Sequence, residues 1–276
     1  MEHRSVTTSF GPIAYSQAGS GPPALFVHGV FVHGGLWRHV AERLAGARTC
    51  IAVDLPAHGR TPPQPGAAST FTENAAVLAA LCDALRLPAV DLVGNDSGGG
   101  IAQIFAAHHP TRVRTLTLTN CDVHDRWPPP SFAPVVALAR AGKLRRRYPA
   151  FGDVANVRAL LAEFYEDVSA IDDATLLSYA APHLDPAGAL ALERFIAAMD
   201  CTHTVVVEPL LRRLEAPALI VWGAADRAFD RADADWLRAT LPNARDVVDV
   251  PGARLFFPEE RPQVLADALR THWAAA

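Results

Sequence analysis

Residues 92–100, Leu92-Val93-Gly94-Asn95-Asp96-Ser97-Gly98-Gly99-Gly100, put a candidate reactive group among the small residues that a tight turn needs. An apolar run gives way to Gly-x-Asp-x-Gly-Gly and then to a helical pattern. Such a strained strand-to-helix turn pushes one side chain outward. The N–H groups of the following helix stabilise negative charge there. Gly94 and Gly98 flank the turn in a register that exposes Asp96; centring it on Ser97 gives a poorer fit, with Asn95 and Gly99 as flanks. An exposed carboxylate can attack carbon or take a proton. The bland reading is a Gly-rich turn kept for packing. No G-K-[ST] follows, which argues against a phosphate cradle. Gly98-Gly99-Gly100 also lacks dinucleotide-binding spacing. No H-E-x-x-H spacing occurs and the four cysteines form no CxxC pair, so no metal, cofactor or disulfide framework is expected.

The elements that must hold this turn alternate. Val6–Phe10 and Pro12–Gln17 read as a hairpin. Ala24–Val27, Thr49–Val53, Val90–Val93 and Val113–Thr119 are short apolar runs of strand length, and helical patterns include Phe71–Leu85 behind a Ser69-Thr70 cap. Unbroken apolar strands between helices predict a parallel sheet covered on both faces. The rhythm breaks after Thr119. Trp127-Pro128-Pro129-Pro130 reads as an extended linker, followed by helical patterns at Phe132–Leu144, Asp153–Glu166, Asp172–Ala181 and Ala187–Met199. Pro217–Trp222, Arg231–Thr240, Arg245–Val250 and Glu260–Trp273 restore the alternation. The expected organisation is an α/β core over residues 1–124 and 205–276, with a helical cap over 125–204. Pro62-Pro63-Gln64-Pro65-Gly66 reads as a stiff loop.

The 276 residues are 50% hydrophobic and 20% charged with a net charge of -4, which excludes a disordered chain. Arg145-Arg146-Arg147 is the one basic run, so nucleic acid is not an expected partner. No apolar run approaches the roughly 18 residues of a membrane span. Met1–Ser5 has no secretory h-region, and with the cysteine pattern this predicts a cytoplasmic location.

Further segments accompany the turn. They are Phe26-Val27-His28-Gly29, Leu36-Trp37-Arg38, Asp54-Leu55-Pro56-Ala57-His58-Gly59-Arg60, His109-Pro110-Thr111-Arg112-Val113, Val221-Trp222-Gly223-Ala224-Ala225-Asp226 and Glu259-Glu260-Arg261-Pro262. In order and spacing the set resembles the α/β-hydrolase superfamily, in its Asp-nucleophile branch of haloalkane dehalogenases and epoxide hydrolases. The resemblance implies an α/β-hydrolase fold: a mostly parallel central sheet, helices on both faces and a helical cap insert. It implies that Asp96 attacks an sp³ carbon to give an alkyl-enzyme ester, which a His paired with an acid then hydrolyses. The N–H groups of Val30 and Ser97 would line the oxyanion site, in a loop that begins at His28 and Gly29. Trp37 is carried over as a substrate-side residue. Asp226 is the implied acid, with Asp122 as the second candidate.

Three positions depart from the family pattern. Leu255 stands where the His belongs, and leucine carries no proton. Among His28, His33, His124, His183 and His203, His124 is the first candidate to replace it, because strand ends point at the site. Val30 and Ser97 stand where dehalogenases place amide and indole donors to the halide, which argues against dehalogenation. Tyr148, Tyr165 and Tyr179 could serve as acids for epoxide opening. The expected activity is cofactor-independent hydrolysis of a small hydrophobic organic molecule through Asp96. The alternatives are elimination, isomerisation or lyase chemistry with Asp96 as general base, or a ligand-binding protein without catalysis. No nucleic-acid or membrane partner is expected, and the chain leaves room for a homodimer.

Overall fold

The computed structural model describes residues 1–63 and 69–276. The stiff loop expected over residues 62–66 therefore lies largely outside the described residues. One sheet contains β1 (Glu2–Thr8), β2 (Gly11–Ala18), β3 (Pro23–Val27), β4 (Thr49–Val53), β5 (Val90–Asp96), β6 (Val113–Cys121), β7 (Ala218–Gly223) and β8 (Val248–Val250). Their order is β1-β2-β4-β3-β5-β6-β7-β8. β1–β2 and β2–β4 are antiparallel, and the other neighbours are parallel. Every residue of β5 and β7 is buried, as expected of strands covered on both faces. β1 begins before the expected Val6, at Glu2, and runs largely exposed along the sheet edge. β8 covers only the end of the expected Arg245–Val250; before it the chain touches β7 through one isolated bridge, with the Arg245 N–H on the Ala218 carbonyl at 3.1 Å.

α1 (Arg38–Leu44), α2 (Phe71–Ala84) and α3 (Ser97–His108) follow β3, β4 and β5. The Thr70 side chain accepts the Glu73 N–H at 3.1 Å, while Glu73 accepts the Thr70 N–H at 2.9 Å, which completes a capping box on α2. Between β6 and β7 all regular elements are helical: α4 (Ala133–Arg140), α5 (Val154–Leu161), α6 (Asp173–Ala180), α7 (Pro186–Ala197), α8 (Thr202–Val205), α9 (Glu208–Leu211) and short 3-10 turns. α5 stops short of the expected Glu166. Arg254 donates to the carbonyls of Ala162 and Tyr165, and Glu260 accepts the N–H groups of Glu166 and Asp167, so the backbone turns aside there. The Pro-rich linker is a turn rather than extended, with the Phe132 N–H on the Pro129 carbonyl at 2.8 Å. Trp127 anchors it by stacking on Phe71, with centroids 4.2 Å apart. α10 (Arg231–Thr240), α11 (Phe257–Glu260) and α12 (Pro262–Ala274) complete the chain, and Arg261 divides the last expected helix in two.

The insert is tied to the core at Glu259. This buried carboxylate accepts the hydroxyls of Tyr165 and Tyr179, the latter at 3.0 Å, and pairs with Arg38. Both hydroxyls are committed to this carboxylate, and neither tyrosine lines the cavity that holds Asp96.

Candidate active site

β5 ends in Asp96, whose φ of +56° lies in the left-handed region that a non-glycine residue rarely adopts. The turn closes because its flanks have no side chains. A Cβ on Gly98 would stand 2.4 Å from the carbonyl oxygens of Val27 and His28, and one on Gly94 would stand 2.7 Å from the Gly98 carbonyl. Asp96 Oδ2 accepts the Val30 N–H at 2.9 Å. A Cβ on Gly29 would come within 2.1 Å of that oxygen, so glycine is needed for the loop to reach the carboxylate. His28 fixes the loop from below. Its Nδ1 donates to the Gly29 carbonyl at 2.7 Å, and its Nε2 accepts the Leu55 N–H at 3.0 Å. Burial holds this ring well below the usual imidazole range. With both nitrogens committed to backbone, its role is structural.

Asp96, Ser97, Asp122 and Ser131 are among the polar residues that line a cavity of about 190 Å³. Phe31, Phe132, Phe164, Phe229 and Leu255 supply apolar wall. These phenylalanines carry no motif and lie on separate segments, so sequence spacing gave no sign of them. Neither a histidine nor a cationic side chain lines the cavity among the described residues. Glu163, exposed, is the remaining ionisable lining residue.

The two buried aspartates shape each other. Burial pushes the Asp96 carboxyl up to about 7, against the lowering effect of the Val30 and Ser97 N–H groups. Burial and the Asp96 charge push Asp122 well above the usual carboxylate range. Like charges in a desolvated site cannot both ionise freely, so the pair tends to retain a proton. The Ser97 hydroxyl lies beside Asp122 without a well-formed hydrogen bond.

Asp226 stands behind the cavity rather than in its wall. Asn120 Nδ2 donates to its Oδ2 at 2.7 Å, and the Ala228 N–H donates to its Oδ1 at 2.9 Å. Burial pushes it up to about 6. Asn120 also accepts the Gly223 N–H at 2.6 Å, which couples β6 to β7. Sequence reasoning passed over Asn120; the available signal was a polar residue closing an otherwise apolar and Thr-rich strand. Leu255 faces the cavity, and its carbonyl accepts Asn95 Nδ2 at 3.0 Å.

Two expected site residues fall elsewhere. His124 does not enter the cavity. Its Nδ1 lies 3.0 Å from Asp125, its Nε2 lies 2.7 Å from Glu208, and its ring stacks on Trp236. Charged partners near the surface outcompete an apolar cavity for this ring. Trp37 is fully buried against Phe26 in the core and does not line the cavity. His33 bonds Ser178 at 3.0 Å and His203 bonds Thr72 at 2.8 Å, so neither serves Asp96. No group of three or more His, Cys, Asp or Glu among the described residues is placed to hold a metal. No helix among them is long and apolar enough to cross a membrane.

The profile of the α/β hydrolase fold family matches residues 22–261. A pimeloyl-[acyl-carrier protein] methyl ester esterase of Chromobacterium violaceum is 33% identical over 82% of this chain and 84% of its own length. Haloalkane dehalogenase 2 of Mycobacterium tuberculosis is 28% identical over 98% of this chain and 94% of its own. The solved structure of the epoxide hydrolase CorEH superposes with a TM-score of 0.84 at 21% identity, covering 99% of this chain and 98% of that one. Sheet order, strained turn and family profile agree, and the chain belongs to the α/β-hydrolase fold family.

Proposed function

We propose that the chain is an enzyme that hydrolyses a small, neutral, largely apolar organic molecule, with Asp96 as nucleophile and Asp122 as the group that moves the proton. The observation that carries this reading is the Asp96 carboxyl itself, which lines the cavity from a strained turn with one oxygen held by the Val30 N–H. The carboxylate attacks an sp³ carbon, a C–O bond forms, and the leaving group departs with its electron pair. The ester carbonyl oxygen remains at the Val30 and Ser97 N–H groups, where charge develops in the next step.

Esterification removes the Asp96 charge. The repulsion that raises Asp122 disappears, and Asp122 gives the proton it held to the leaving group, which leaves it ionised just as a base is needed. It takes a proton from water, and the resulting hydroxide attacks the ester carbonyl carbon. Collapse of the tetrahedral intermediate breaks the bond to the alkoxide, which recovers the proton from Asp122 and leaves as an alcohol; the proton left on the Asp96 carboxyl passes to Asp122 and restores the starting pair. This sequence assigns no part to a residue at position 255.

Intact-protein mass spectrometry with a panel of alkyl halides and epoxides tests the reading. Asp122→Asn is expected to accumulate an adduct that maps to Asp96, while Asp96→Asn forms none. A second reading, favoured by Leu255 in place of a histidine, makes the pair exchange protons with carbon acids, as base and acid in elimination or isomerisation. It predicts no adduct in any variant, together with solvent deuterium entering the substrate at carbon.

A further inference from the structure

The helical insert encloses a second space of about 20 Å³, large enough for about one water molecule. Phe31 and Leu160 are walls of both this space and the cavity over Asp96. Tyr148 and His183 line the smaller space, 1% and 4% exposed. The Tyr148 hydroxyl and both His183 ring nitrogens lack a well-formed hydrogen bond. Buried polar groups in folded proteins are nearly always partnered, so their convergence on one space calls for an occupant. Burial holds His183 at about 3 and pushes Tyr148 up, so both are neutral near pH 7. Behind His183, at a ring separation of 5.5 Å, His58 donates through Nδ1 to the Pro56 carbonyl at 3.1 Å and leaves Nε2 without a partner. His183 has the Gly188 carbonyl beside it for one N–H, which leaves its other nitrogen for a ligand.

The partition is a residue under strain. Phe31 has a φ of +64°, a left-handed backbone that a bulky side chain rarely adopts, two residues after Gly29. On the cavity side its ring meets Phe132 edge-on at 5.9 Å.

We propose that the two spaces form one bipartite substrate site, parted by Phe31, which takes an elongated neutral molecule with an apolar body over Asp96 and a hydroxyl at its far end between Tyr148 and His183. The proposal rests on the reading of the Asp96 cavity as the substrate site and deepens it to a substrate class. A hydroxyl fits because it accepts from the Tyr148 O–H and donates to the bare His183 nitrogen. A carboxylate or ammonium does not fit, because no charged side chain among the described residues lines the space and Glu193, near the Tyr148 hydroxyl, is already paired with Arg145, so desolvation would go uncompensated.

Isothermal titration with n-butylbenzene and 4-phenyl-1-butanol tests this without requiring turnover. The ratio of the two affinities cancels what the compounds share. Tyr148→Phe, which deletes only the unpartnered hydroxyl, is expected to lower the wild-type preference for the alcohol about tenfold and leave hydrocarbon binding unchanged. Phe31→Ala, which opens the partition, is expected to keep the preference for the alcohol. Equal ratios in wild type and Tyr148→Phe, with both compounds bound, overturn the bipartite site and leave the Asp96 cavity as substrate site. Binding of neither compound to any of the three proteins overturns the cavity reading and this proposal with it.

Discussion

Asp96 binds its proton more tightly in the folded chain than in the unfolded one, since its carboxyl titrates near 7 rather than near 4. The stability linked to that proton is complete below about pH 4 and is lost as the pH rises through 7. Asp96→Asn cannot ionise at this position. Its melting temperature is therefore expected to gain on wild type between about pH 5 and pH 8, as read by calorimetry; a constant difference across that range would refute the linkage. Ester formation needs the ionised carboxylate, so its single-turnover rate is expected to climb through the same interval. Leu255→His puts a titratable side chain into the cavity wall, with the buried Asp226 behind the cavity as its proposed partner. It should speed ester breakdown at least tenfold, and Asp226→Asn in that background should cancel the gain; a tenfold gain that survives Asp226→Asn would remove Asp226 from the relay. At this scale the sequence was informative about Asp96, because Gly-x-Asp-x-Gly-Gly leaves one register that puts a side chain at the apex of the turn. It was silent on the Asp96–Asp122 coupling, since shared burial arises only when β5 and β6 lie side by side. It misplaced His124, because nothing local reveals Glu208 and Trp236 as its neighbours.

Each strand–helix unit holds its part of the site by close approach. Gly99 on α3 faces β6 so tightly that a Cβ there would lie 2.3 Å from the Cys121 Cβ, with no flexible chain end to yield. Gly99→Ala is expected to destabilise the fold by about 1–3 kcal/mol in urea unfolding. Gly46→Ala, where no atom lies within 4 Å of the new Cβ, is the matched control and should be near neutral. The parallel strands were readable because apolar runs buried on both faces admit few other structures. Helix ends were harder to read. α5 stops where Arg254 and Glu260 capture its backbone groups from far along the chain, and no propensity at residues 162–166 announces that.

Across the whole molecule, the helical insert and the sheet domain meet at Glu259. Three side chains converge on it, Tyr165 and Tyr179 from the insert and Arg38 from α1. Removing one partner of a buried ion pair leaves the other uncompensated, so Glu259→Ala is expected to cost about 3–5 kcal/mol. Faster amide exchange in α6 should accompany the loss if Glu259 fastens the insert; an unchanged exchange pattern would reduce it to a local contact. The presence of a parallel sheet and of a helical insert was legible as a rhythm of patterns. The fastening was not, because its members are separated by most of the chain.

Asp226 keeps its two hydrogen bonds although Leu255 offers it nothing to orient. In genetic terms this places the chain beside a different enzyme. Some leucine codons differ from a histidine codon by a single base, and a buried carboxylate with hydrogen-bond partners of its own already stands behind the same cavity. A selection that rewards faster ester hydrolysis would have that step within reach of one base change.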